Sequence, residues 1–268
     1  MEKSKLSIFI FFIFSFIVPW IGWSIMAVKG FNLFLFYTSY GCAIGGLVAV
    51  FIENGKSGIY KTLENFRLSA PISAWLLAVL FPFIWQILSF VLYGLLFNEK
   101  GLGKVELLNI SNLFTWHTLW LLTTGPLSEE LGWRGFLLHK LLNKYSFLKS
   151  NVLLGLIWAF WHLPIMYQKW ITIPISGIYF FVGVICFAFI IGIIYVISNG
   201  NLFLCILSHW TINAMQEMFG SIFPDIKLPN EIFYVFSTFI LLVITVLLLY
   251  LFKQKISVTE NHLLKNNN

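Results

Sequence analysis

The chain has 268 residues, 59% of them hydrophobic and only 10% charged, with a mean hydropathy of +0.86. A soluble domain carries about 25% charged residues, so this composition excludes an ordinary water-soluble fold. The net charge of +6 is spread over short loops, which reads as a topology signal and not as a nucleic-acid surface.

Eight apolar segments follow one another, at 6–28, 31–52, 72–97, 113–142, 152–167, 173–197, 202–219 and 232–252. Runs of this length predict an all-α, polytopic transmembrane helical bundle with a polar intramembrane cavity. A β-barrel would need short alternating segments, which the sequence lacks. The first run is long enough to span and has no A-x-A-like end, so it reads as a retained helix. No internal repeat is visible, which removes the usual sequence support for an inverted-repeat transporter. With the N-terminus inside, eleven basic residues fall on inner segments and five on outer ones, with Arg134 set aside. That bias predicts both termini in the cytoplasm. Cys42, Cys186 and Cys205 lie far apart in apolar runs and read as buried small hydrophobes.

The fourth segment is too long for one simple span: thirty helical residues reach about 45 Å against a core of about 30 Å. Gly125-Pro126 offers a break, with Thr124 as N-cap of a new helix. Glu129 and Glu130 then sit near a helix N-terminus, where the dipole favours negative charge. Gly132 and Gly135 would let a neighbouring helix approach. In the fifth segment Pro164 disfavours helix at Leu163, which places His162 near a helix end at membrane depth. Pro82 and Pro174 read as kinks or helix starts. The polar stretch after Phe252 reads as a disordered cytoplasmic tail.

The stretch Ser128-Glu129-Glu130-Leu131-Gly132-Trp133-Arg134 puts two carboxylates and a guanidinium inside an apolar run. Each such charge at the bilayer centre costs about 2.5–3.5 kcal/mol. Glu130 and Arg134, four apart, suit a helical ion pair, structural or functional. Glu129 lies about 100° round the helix, so one arginine cannot serve both acids equally, and Glu129 is left as a candidate general base. His162 is either a histidine bonded to a carbonyl or a second catalytic group. His209 and Asn213 share one helical face; they are either interhelical polar contacts or donors for a developing oxyanion. His117, His139, His262 and Glu217 are not expected to take part. Scattered singly through lipid, these polar groups would cost several kcal/mol each. A shared pocket suited to water attack on a carbonyl is the economical arrangement.

In order, Glu129-Glu130-x-x-x-Arg134, then His162, then His209-x-x-x-Asn213 resembles the CAAX prenyl protease 2 family, the type II CAAX endopeptidases also called CPBP or Abi proteins. The resemblance covers about 115–219. One position departs from it: the family usually has phenylalanine four residues before the middle histidine, and here that residue is Trp158. The resemblance implies an intramembrane endopeptidase. Glu129 and His162 would activate water, His209 and Asn213 would hold the oxyanion, and Glu130 and Arg134 would support them. It divides the chain into N-terminal helices (1–110), a catalytic core (111–220), a final span (221–252) and a tail (253–268).

Relatives are described both as metalloproteases and as metal-free. Zinc at Glu129, His162 and His209 is allowed by residue type, but no H-E-x-x-H requires it, and the expectation is no obligatory cofactor. The expected partners are a peptide or protein substrate at the membrane and the lipid bilayer, with no nucleic acid. Composition and short loops look bacterial, where relatives are linked to bacteriocin processing or immunity. A non-catalytic immunity or partner-binding membrane protein is the alternative, with a transporter third.

Overall fold

The computed structural model describes residues 2–97, 115–164, 166, 174–222 and 231–265. Among them helix dominates and no strand occurs, so the polytopic helical bundle stands. Five helical stretches are long and apolar enough to cross a membrane. These are α1 (Glu2–Lys29), α2 (Leu33–Glu64), α3 (Ile72–Phe97), α7 (Pro174–Ile197, apolar from Gly177) and α9 (Glu231–Leu251). The remaining apolar segments form broken helices or helices with a shorter apolar stretch: α4 (Trp116–Thr124), α5 (residues 126–142), α6 (Phe147–Trp161) and α8 (Leu202–Ile222, apolar over Leu202–Met215). All the predicted site residues lie on, or just beyond the end of, α5, α6 and α8.

The expected break at Gly125-Pro126 is present, but its cap is different. Thr124 still belongs to α4, where its hydroxyl donates to the Trp120 carbonyl at 3.0 Å. The N-cap of α5 is Gly125, and Pro126 opens the helix. Ser128 closes the corner by donating to the carbonyls of Thr124 and Gly125, both at 2.9 Å. After Gly132, α5 widens into a π-helical turn at Trp133–Leu138. Pro174 begins α7, while Pro82 lies inside α3.

Helix α5 is largely enclosed, and Glu130, Trp133, Arg134 and Leu138 are fully buried. Close approach of α2 makes this possible. A Cβ on Gly132 would collide with the sulfur and backbone of Cys42, and one on Gly46 would stand 2.9 Å from the Gly132 Cα. Gly135 has no such role, because its nearest neighbours lie at ordinary contact distance. All three cysteines are free and buried.

Helix α1 clasps α6 through two indoles. Trp161 donates to the Ser15 carbonyl, within a π-helical turn at Ile13–Ile17, and Trp20 donates to the Trp161 carbonyl at 3.0 Å. At the start of α8, Arg67 donates to the carbonyls of Ser198 and Asn199, and Asn201 donates back to the Arg67 carbonyl at 2.8 Å. These bonds fix the turn from which α8 carries His209 inward.

The outward faces of the long helices remain apolar, with Phe9, Ile84 and Val246 each more than half exposed, as lipid contact requires. The expected disordered tail is a correction. Residues Lys253–Lys265 continue as helix α10, which packs on α7 and α9 and buries Ile256. Its single inward isoleucine was hidden by the polar composition around it. The residues after 265 lie outside the described set, as do the side chains of Glu217 and His262.

Candidate active site

Helix α5 delivers its two carboxylates to different partners, as their angular separation requires. Glu130 Oε1 accepts from Arg134 at 2.7 Å and from His209 Nδ1 at 2.8 Å, with both Glu130 and Arg134 fully buried. The Arg134–Glu130 pair is therefore both the helical salt bridge and the anchor for α8. Its remaining polar atoms, Glu130 Oε2 and Arg134 Nε and Nη2, find no hydrogen-bond partner among the described residues. The guanidinium instead lies 4.7 Å from the centre of the Trp158 ring, a cation–π contact.

Glu129 does not share that arginine bond. Its Oε2 accepts the indole N–H of Trp158 at 2.5 Å. Trp158 also places its ring edge-on to His209, with centroids 5.1 Å apart, and gives its carbonyl to His162 Nδ1 at 2.8 Å. Four of the polar groups thus meet one tryptophan. Sequence reasoning had noted Trp158 only as an aromatic replacement. The overlooked signal was chemical: unlike phenylalanine, tryptophan carries a donor.

His162 caps the end of α6, as expected, and its ring does bond a carbonyl. A carbonyl only accepts, so Nδ1 carries the proton and, in the neutral ring, Nε2 keeps its lone pair. The two expectations for this residue are therefore compatible: one nitrogen is held and the other remains available. Glu129 and His209 both lie within electrostatic range of the His162 ring. His209 is arranged alike, with Nδ1 on Glu130 and Nε2 left over.

Asn213 lies beside Gly125. A Cβ built on Gly125 would stand 3.4 Å from Asn213 Nδ2 and 3.5 Å from Glu129 Oε1. The missing side chain therefore keeps open a spot flanked by the carboxylate and the amide. Next to it lies a cavity of about 440 Å³, lined by Trp158, His162, His209 and Asn213 and extending along apolar residues of α3, α7 and α9. Glu129 is not part of that lining.

A metal finds little to hold it. Among the described residues no three His, Cys, Asp or Glu side chains are grouped to bind an ion. One oxygen of Glu129 is already taken by Trp158. As arranged, the described side chains do not form a three-ligand group for zinc. His117 and His139 stand at exposed positions outside this cluster.

Residues 111–215 match the family described as Rce1-like, type II CAAX prenyl endopeptidase. Over that segment the chain is similar to Rce1-like peptidases. A curated relative, CAAX prenyl protease 2 of Methanococcus maripaludis, is 25% identical over 232 residues, covering 78% of this chain and 83% of the relative. The matched segment takes in α4, α5, α6 and α7 and most of α8, which hold every residue of the polar cluster. The chain is thus a multi-pass membrane protein and a peptidase, and its segment similar to the Rce1-like family holds the buried polar cluster.

Proposed function

We propose that this peptidase is an endopeptidase that cuts a peptide bond of a membrane-associated or peptide substrate by water attack. The carrying observation is that His162, His209 and Asn213 line one cavity, while Glu129 Oε1 stands with Asn213 Nδ2 around Gly125 beside it. Glu129 and Nε2 of His162 flank the water; as its oxygen bonds the carbonyl carbon, one proton passes to this pair, and it is returned to the amine nitrogen as the C–N bond breaks. Positioned acid–base groups of this kind contribute about 10²–10⁴-fold in rate.

The oxyanion formed on the carbonyl faces Asn213 Nδ2. It also faces His209, whose Nδ1 is held by the Glu130 carboxylate, while Arg134 holds Glu130 in place. The catalytic roles thus fall to Glu129, His162, His209 and Asn213, with Glu130 and Arg134 as positioning residues. No step is routed through a metal.

The test is a comparison of membrane peptides from cells carrying wild type or Glu129→Gln, read by mass spectrometry. Peptides present only with wild type are expected. Unchanged peptide profiles, with the variant inserted at normal levels, would overturn the reading.

A further inference from the structure

The site cavity holds a second amide that the chemistry above does not use. Gln86, on α3, is 3% exposed and lines the same cavity as His162, His209 and Asn213. Its neighbours on α3 are fully engaged. The Trp85 indole donates to the Ser237 carbonyl at 3.0 Å, Ser89 donates to the Trp85 carbonyl at 2.8 Å, and Ser237 donates to Ser89 at 3.0 Å. Thr211 on α8 likewise donates to the Ala78 carbonyl at 2.8 Å. Among the described residues, Gln86 makes no hydrogen bond within this satisfied seam. It is not among the sealed, unpartnered polar atoms either, so its amide opens on the cavity.

Burying a primary amide without a partner is unfavourable, and a cavity built around one selects an occupant that completes it. A primary amide offers a carbonyl acceptor and an N–H donor side by side. A peptide group presents the matching donor and acceptor. A hydrocarbon chain presents neither, although the surrounding walls of Trp85, Phe90, Phe187 and Leu241 would welcome its bulk.

Resting on the endopeptidase reading, we propose that Gln86 is a substrate-binding residue. It pairs with one backbone amide of an apolar peptide segment lying along α3, away from the bond that is cut. The occupant of this part of the cavity is then peptide backbone, not a bare lipid chain.

The test is a binding measurement on the full-length chain in detergent, in a Glu129→Gln background so that no turnover intervenes. The probes are a fluorescein-labelled apolar peptide of leucine and alanine, a set of its copies each N-methylated at one peptide bond, and a dansyl-labelled lauryl chain. With Gln86 present, one N-methyl position should weaken binding about tenfold, a loss of about 1.4 kcal/mol. With Gln86→Leu the parent peptide should bind about tenfold more weakly, that position should become insensitive, and the lauryl chain should bind more tightly. An N-methyl profile that is flat, or identical in the two proteins, would overturn the proposal, as would failure of the peptide to bind. If Gln86→Leu does not fold, the N-methyl profile of the Gln86 protein decides alone. Because binding is read without catalysis, its failure is separable from a failure of Glu129 to matter in cells.

Discussion

The long spans and the short helices of this protein solve opposite problems. Helices α1, α3 and α9 present large apolar side chains such as Phe9, Ile84 and Val246 outward, and Trp85, Ser89 and Ser237 of the α3–α9 seam are paired with one another. The broken pair α4–α5, with α6 and α8, holds Glu129, Glu130, Arg134, His162, His209 and Asn213. Interrupting a helix frees backbone groups, which lipid cannot satisfy. The interruptions are tolerable here because the long spans enclose them. What the comparison teaches is a division of labour: the outer helices provide the solvent boundary, and the irregular inner ones aim side chains at a common point.

Three substitutions test that division. The largest effect is expected at Arg134. Arg134→Leu leaves the Glu130 carboxylate buried with no guanidinium, and breaking a buried pair in this way costs about 3–5 kcal/mol. Unfolding of the purified protein in detergent should show a loss of that size, together with loss of His209 positioning and of activity. Next is Trp158→Phe, which keeps an aromatic ring but deletes the donor to Glu129. One hydrogen bond contributes about 1–1.5 kcal/mol, so kcat should fall about tenfold with KM nearly unchanged. A rise in KM alone would mean that Trp158 shapes only the cavity. The smallest effect is expected at Val246 on α9, where Val246→Ala should change stability by no more than about 0.5 kcal/mol. A large loss there would mean that the outer helices do more than form a boundary.

The sequence showed most of the inner architecture because polar residues in apolar runs are conspicuous. Glu129, Glu130 and Arg134 advertised a centre, the Gly125-Pro126 pair advertised a break, and the four-residue spacing of His209 and Asn213 put them on one face. What stayed hidden depended on tertiary geometry. Nothing local shows that Thr124 finishes one helix while Gly125 caps the next, since either residue suits a cap. Trp158 looked like packing because its donor matters only once α5 brings Glu129 against it. Gln86 lies in the third apolar run, some forty residues before the motif, and only the shared cavity connects it to the site. Helix α10 was hidden by its polar composition, within which Ile256 turns inward.

The claim beneath all of this is that Glu129 and His162, from separate helices, act on one water. A double-mutant cycle on peptide cleavage by the purified protein tests it directly, comparing Glu129→Gln, His162→Ala and the pair. Groups that act as a unit lose their effect together, so the double variant should be about as slow as the slower single one. Losses that multiply, each variant costing its full factor in the presence of the other, would contradict the account.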